Sequence, residues 1–407
     1  MLTIRKKIAV GTSLALASAG IVAALQTAPA TSAPPIAARQ RATVPVSIVP
    51  GIIDPGSSLK KSGQAKWAVI GKYGPNKAGK AVKLQKQSGS SWVTAGKGKV
   101  DKKGMAIFAV PPAFASKPVV YRIDGPGSPS QPVSTASWGT TVDWADEFGG
   151  SRLNLTDWQH RQQEYSPDSQ RTCAKGSPKA VKVGGGAAKL SVLLDKSITK
   201  ICKPTKPNKT VIFGKFRYRL NANIGTAATH WFTYGVAAAR IKFNPLQGQH
   251  ASFWLQPKNV EDSVTTGREV DIIEWFGKDT PNGGLTSFIY APSLNGKKIG
   301  ITKTGWIKDP EQYLMNQNDD WFKRYHVFSV EWSPSYYIFR IDGQETGRIT
   351  RSVGSAPEHP ILSLLSSDYE LSKLPNRDEK KNLPQTMSVD WVKIWQNPTY
   401  LALNPTS

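Results

Sequence analysis

The stretch Gly267-Arg268-Glu269-Val270-Asp271-Ile272-Ile273-Glu274-Trp275 decides how the rest of this 407-residue chain is read. Acidic and apolar residues alternate from Glu269 to Ile272, the period of a strand with one buried face. Strict alternation puts Glu269 and Asp271 on one face and Glu274 on the other. One extra residue, a β-bulge at Ile272 or Ile273, slips the register and returns Glu274 to the face of the other two acids; bulges gather beside active sites. An isolated acid-x-acid pattern usually belongs to a solvated strand edge. Here Val270, Ile272 and Ile273 interleave the acids and Trp275-Phe276 follow, so a half-buried strand with three carboxylates facing a cleft is expected. Carboxylates crowded on one face cannot all ionise cheaply, and at least one should hold its proton near neutral pH. A protonated carboxyl beside an ionised one is the pair that retaining cleavage of a glycosidic bond uses.

Outward from this strand, the 35 glycines, 29 prolines and frequent apolar-polar alternation favour β structure over helix. The length exceeds what one core usually serves, so two domains are expected. The chain divides near Trp138, after Gly125-Pro126-Gly127-Ser128-Pro129-Ser130-Gln131-Pro132, which continues neither strand nor helix comfortably. Residues 41–132 read as a small module with strands at 43–49, 66–71, 81–87, 91–95, 105–110 and 119–123, the spacing of an antiparallel sandwich. Residues 138–398 form the larger domain.

Arg5-Lys6-Lys7, the uncharged apolar run 8–25 and the small residues Ala28-Pro29-Ala30 read as an export signal over 1–30, cleaved after Ala30. The run is slightly short for a membrane span and diluted by Gly, Ser and Thr. A secreted, extracellular protein without a membrane anchor is therefore expected. In that setting Cys173 and Cys202, 29 positions apart, read as a disulfide.

Net charge is +24, and removing 1–30 leaves +21. Between Arg41 and Ser137, 15 Lys and Arg face only Asp54, Asp101 and Asp124, a local excess of +12. Such a field suits anionic cell-wall or extracellular glycans, or is simply a solubilising surface. No zinc finger or helix-turn-helix pattern accompanies it, which argues against nucleic acid.

Glu-x-Asp-x-x-Glu, as it stands from Glu269 to Glu274, resembles the signature of glycoside hydrolase family 16 in its bulged, laminarinase-like form. The resemblance is carried along the larger domain by several ordered segments. Trp144-Ala145-Asp146-Glu147-Phe148 with Leu155-Thr156-Asp157-Trp158 is similar to the family's opening strand and turn. The segment from Phe232 to Lys242 resembles its strand entering the cleft, and Ala251-Ser252-Phe253-Trp254-Leu255-Gln256-Pro257 the strand before the catalytic one. Tyr325 to Trp332 with Ile341-Asp342-Gly343 resembles its late hairpin, and Met387 to Gln396 its last strand. The small module resembles, more loosely, the immunoglobulin-like accessory modules of secreted bacterial enzymes, through Lys83-Leu84-Gln85, Ser91-Trp92 and Val120-Tyr121-Arg122.

The family resemblance implies an all-β fold: a concanavalin-like jelly-roll sandwich with an open sugar cleft, preceded here by the smaller antiparallel module. It implies Glu269 as nucleophile, Glu274 as general acid/base and Asp271 as the group that bonds the nucleophile. No cofactor is required by such chemistry, and a structural calcium is left open. Two departures bear on substrate choice: His250 stands where an aromatic commonly precedes the Phe-Trp pair, and a histidine often found after the acid/base is replaced near Phe288-Ile289-Tyr290. Trp254, Trp275 and Tyr290 are candidate sugar-stacking walls, and His250 and His230 candidate sugar partners, although core packing is the commoner fate of each.

Competing chemistries lack their residues. The five histidines show no metal-binding spacing, no Gly-x-Ser-x-Gly is present, and Gly184-Gly185-Gly186 lacks the Lys-Ser/Thr of a phosphate loop and reads as a turn before a strand at 188–193. The expected function is retaining endo-hydrolysis of a β-glycan polysaccharide, with β-1,3- or mixed-linked glucan first and agar or carrageenan galactan second. A transglycosylase and a non-catalytic carbohydrate-binding protein are the alternatives.

Overall fold

Alternating sequences become strands along nearly the whole chain. The computed structural model describes residues 43–403 apart from 55–64, 115, 140, 162–163, 166–169, 207, 260–265, 292–299, 315, 317 and 375–381. The expected export signal lies outside the described residues. The first strands are β1 (Val46–Ile53), β2 (Lys66–Lys72), β3 (Ala81–Ser88), β4 (Ser91–Lys99), β5 (Met105–Val110), β6 (Val120–Asp124) and β7 (Val133–Ser134). They form two small antiparallel sheets, ordered β1-β2-β5 and β4-β3-β6-β7. β1 begins and ends later than its apolar pattern suggested, because it continues past Pro50 through an irregularity between Val49 and Ile53. Gly51 there has φ +56°, and a Cβ on it would stand 2.0 Å from the Trp395 ring. Glycine alone fits that backbone and that approach.

The remaining strands are β8 (Trp144–Asp146), β9 (Gln159–His160), β10 (Ala174–Gly176), β11 (Val181–Val183), β12 (Ala188–Leu194), β13 (Ile201–Cys202), β14 (Phe216–Arg217), β15 (Arg219–Gly225), β16 (Gly235–Lys242), β17 (His250–Pro257), β18 (Glu269–Trp275), β19 (Leu285–Ala291), β20 (Gly300–Trp306), β21 (His326–Ser333), β22 (Tyr336–Ile341), β23 (Gln344–Ile349), β24 (Glu358–Leu365) and β25 (Gln385–Gln396). The strands β20-β19-β18-β17-β24-β15 make one layer of a jelly-roll sandwich and β12-β25-β16-β21-β22-β23 the other, joined through the β15–β12 pair. β18 packs on β21 and β20 on β23. Phe253, Val270, Leu362, Ala237, Phe328 and Val330 meet in the core between the layers. The expected disulfide forms between Cys173 and Cys202, beside the β13–β14 ribbon.

β16 corrects one expectation. The segment from Phe232 to Lys242 resembled a strand entering the cleft, yet β16 is a central strand of the second sheet, between β25 and β21. Its composition follows from burial on both sides, which favours an unbroken apolar run. Ala237, Ala239 and Ile241 point into the sandwich, while Val236 and Ala238 join Ile48, Val49, Ile52, Trp67 and Trp395 in a second core against the N-terminal sheets. The next outward residue, Arg240, is buried there with Asp54 at 2.5 Å and Asp390 at 2.7 Å. Trp138 donates its indole N–H to the Ile48 carbonyl at 2.6 Å, closing the same interface.

Candidate active site

The bulge is where the acid spacing required it. Ile273 lies opposite Phe253 and Asp271 opposite Trp254, so Ile272 has no counterpart on β17. On the other side the ladder passes from Glu274–Thr286 to Asp271–Phe288, two residues facing Ser287 alone. The Ser287 hydroxyl donates to the bulged Ile272 carbonyl at 2.9 Å. Glu269, Asp271 and Glu274 thereby share the outer face of the first sheet, while Val270, Ile273 and Trp275 enter the core.

Each acid has a different setting. Glu274 is clamped at both oxygens: Oε1 lies 2.5 Å from His250 Nε2, and Oε2 accepts the Thr286 hydroxyl at 2.8 Å. The His250 ring is held by stacking on Phe276, with centroids 4.7 Å apart. Glu269 accepts from Gln256 Nε2 at 3.3 Å, and Gln256 Oε1 in turn accepts from Arg161 Nη2 at 2.7 Å. Burial raises the Glu269 pKa, the Gln256 hydrogen bond opposes that, Glu274 adds to it and the Arg161 charge opposes it, with a net upward shift. Asp271 is buried and pushed well above the usual carboxylate range, first by desolvation and then by the charges of Glu274 and Glu269. It therefore holds its proton where a free aspartate would not.

The surrounding side chains divide between cleft and core. Tyr290 lies across from Glu269 and is only partly exposed; burial and the three acids raise its phenol pKa, so it stays neutral. Trp254 lies across from Asp271 on the cleft face, donates to Ser363 Oγ at 3.2 Å and carries the Arg161 guanidinium over its ring. Trp275 corrects its expected role as a cleft wall. It is 2% exposed, stacks on Phe243 and donates to the Asn244 carbonyl. His230 is engaged by Asp157 at 2.9 Å and by stacking on Trp144, a structural placement.

Arg161, Gln256, Thr286 and His359 escaped the sequence reading. Gln256 and Thr286 could have been found by counting two residues on from Trp254 and by pairing the following strand against Glu274. His359 lies across from Gln256, and burial, with Arg161 beside it, lowers its pKa to about 4, leaving a neutral imidazole on the cleft face. Arg161 follows the short β9 and no local pattern marks it. Among the described residues no group of three or more His, Cys, Asp or Glu side chains could hold a metal ion, and none of their helices is long and apolar enough to cross a membrane.

Comparison with known proteins gives this arrangement its context. The family model described as glycosyl hydrolases family 16 matches residues 174–393, more than half of the chain. The chain is similar to the glucan endo-1,3-beta-glucosidase A1 of Niallia circulans, 22% identical over 299 residues, covering 66% of this chain and 39% of that protein. It is similar to the beta-glucanase of Fibrobacter succinogenes, 28% identical over 171 residues, covering 40% of this chain and 43% of that protein. The chain thus spans less than half the length of these curated relatives. A solved structure from work on endo-acting O-glycanases of the human gut microbiota that initiate mucin breakdown aligns with TM-score 0.50 and 18% identity, covering 67% of this chain and 95% of that one. At that identity the likeness concerns the fold.

Proposed function

The chain belongs to the glycosyl hydrolases of family 16, and from that premise we propose that it is a retaining endo-hydrolase of a β-1,3- or mixed-linked glucan. The observation that carries this reading is the bulge at Ile272, which gathers Glu269, Asp271 and Glu274 on one cleft face. In the proposed first step the Glu269 carboxylate attacks the anomeric carbon. The bond to the leaving oxygen breaks as Glu274, acting as the general acid, passes that oxygen a proton. Water then attacks the glycosyl-enzyme ester, Glu274 takes a proton from it, and Glu269 is released as carboxylate. Protonated Asp271 adds no third negative charge beside Glu269 and Glu274 and so limits their repulsion. Trp254 and Tyr290 supply ring faces for the sugar, and His359 and Arg161 supply polar contacts.

Glucan is favoured because both curated relatives are named for glucan cleavage. The reading includes export directed by 1–30 and attraction of anionic wall glycans to the basic N-terminal sheets. The test is reducing-sugar release on laminarin, lichenan, agarose and carrageenan, beside Glu269→Gln and Glu274→Gln. Laminarin or lichenan cleavage abolished in both variants supports the proposal. Cleavage of agarose or carrageenan alone transfers the mechanism to a galactan, and activity surviving both substitutions overturns it. Sequencing the N-terminus of protein recovered from culture medium checks export, with Thr31 expected first.

A further inference from the structure

A cavity of about 460 Å³ lies between the N-terminal strands and the outer face of the second sheet, on the other layer from the catalytic acids. Its volume falls within the roughly 300–1,000 Å³ typical of small-ligand sites. Ile48, Ile70, Ile107 and Ile338 supply apolar walls, and Glu331, Tyr336, Arg340 and Tyr400 a polar end.

That polar end is built. Glu331 Oε1 is 3.0 Å from the Tyr336 hydroxyl and 2.9 Å from that of Tyr400, the two hydroxyls are 2.7 Å apart, and Oε2 accepts from Arg340 Nη2 at 2.7 Å. Burial would raise the Glu331 pKa, but the Arg340 charge and the three hydrogen bonds overcome it, and the carboxylate is held ionised. Glu331 and Arg340 are 4% and 5% exposed, so this is no surface pair. Arg340 Nη1 has no hydrogen-bond partner among the described residues. Desolvation commonly offsets the attraction of a buried ion pair, and an orphaned donor adds a further penalty. Stability alone would be served as well by apolar side chains on this face.

We propose that the cavity is a second, non-catalytic carbohydrate site that takes the end of a short neutral gluco-oligosaccharide. A sugar hydroxyl both donates and accepts, which suits the hydroxyls of the half-buried Tyr336 and Tyr400 at the polar end of the cavity. Isoleucine side chains suit the C–H faces of a pyranose. Arg340 is paired with Glu331 and Arg348 with Glu345, so among the described lining residues Lys72 is the single cation outside an ion pair, not a cluster that would select an anion. The existence of the site stands on the cavity itself, while glucose as the sugar rests on the glucan reading above. Holding a chain here while the cleft works on another segment raises the local substrate concentration.

The test is a titration of the full-length Glu269→Gln protein, carrying ¹³C-labelled isoleucine methyls, with laminaritetraose, cellotetraose and, separately, tetragalacturonate. Saturable shifts of Ile48, Ile107 and Ile338 with a neutral oligosaccharide are expected. Ile107→Trp, which fills the cavity, should remove them while leaving unchanged both the shift of Ile361, the cross-strand partner of Trp254 in the cleft sheet, and the kcat of the otherwise unaltered enzyme on a short substrate. Should that variant not fold, Tyr400→Phe should weaken the cavity Kd about tenfold. Movement of Ile361 alone overturns the second site, as do cavity shifts seen only with tetragalacturonate. Cavity shifts without any Ile361 shift would instead count against the cleft reading and leave this site standing.

Discussion

Asp271 and Glu331 are both buried carboxyl groups on strands of the same sandwich, and their pKa values move in opposite directions. Asp271, on the cleft layer, is desolvated among Glu269 and Glu274, and is pushed up. Glu331, on the other layer, has Arg340 and two tyrosine hydroxyls, and is held down. Asp54 and Asp390 both pair with Arg240, although burial still leaves the Asp390 pKa raised. For Glu331 the fold supplies a guanidinium; among the three cleft acids the repulsion is left largely uncompensated. Arg161 reaches Glu269 through Gln256, one cation for three acids. Burial is common to both carboxyl groups, so the charges and donors beside each one set the direction in which its pKa moves.

The contrast can be broken most severely at the cleft. Glu269→Gln and Glu274→Gln should each reduce glucan hydrolysis about 10³-fold or more while thermal unfolding stays at or above the wild-type temperature, because a repulsive charge is removed. On the opposite layer the effect should fall on stability instead. Arg240→Met strands Asp54 and Asp390 without their cation and should lower denaturant stability by about 3–5 kcal/mol, with activity per folded molecule unchanged.

Linkage sharpens the comparison further. The folded pKa of Asp271 is raised, so relative to a neutral side chain it is unpenalised below the ordinary aspartate range and loses stability as pH rises from there. Asp271→Asn should therefore unfold at higher denaturant than wild type at pH 7, and the gain should vanish near pH 3. For Glu331 the folded pKa is lowered, so its stabilisation is present above the ordinary glutamate range and is lost as pH falls through the folded value. Glu331→Gln should be less stable than wild type at pH 7 and converge with it in acid. Parallel pH dependences in the two variants would contradict the contrast. The smallest change is expected from Gln256→Ala, which removes a bond that lowers the Glu269 pKa. Its acidic limb of kcat/KM should move to higher pH, with a loss at the optimum of about threefold to tenfold.

Much of the cleft was legible because Glu269-x-Asp271-x-x-Glu274 encodes its own bulge: three acids can share a face only if one residue is extra. The same logic should have placed Trp275. Once Glu274 faces the cleft its successor faces the core, and the ring was assigned to a wall by its aromatic character rather than by its register. β16 was misplaced for a related reason, since an unbroken apolar strand is compatible with either layer, and its outer burial comes from Ile48, Ile52 and Trp67 far away in sequence. Arg161 and the place of Tyr400 beside Glu331 were invisible for the same cause. Gln256 lies 95 positions from Arg161 and Tyr400 lies 69 from Glu331, and no periodicity joins such residues.

The central claim is that Glu269 attacks and Glu274 handles the proton, and azide rescue tests it most directly. Glu269→Gly and Glu274→Gly are incubated with an aryl β-laminaribioside and sodium azide, and the anomeric configuration of the glycosyl azide is read by NMR. The α-azide from Glu269→Gly and the β-azide from Glu274→Gly are predicted, because azide replaces the nucleophile in the first and the activated water in the second. Exchanged configurations, or a β-azide from both variants, would contradict the assignment.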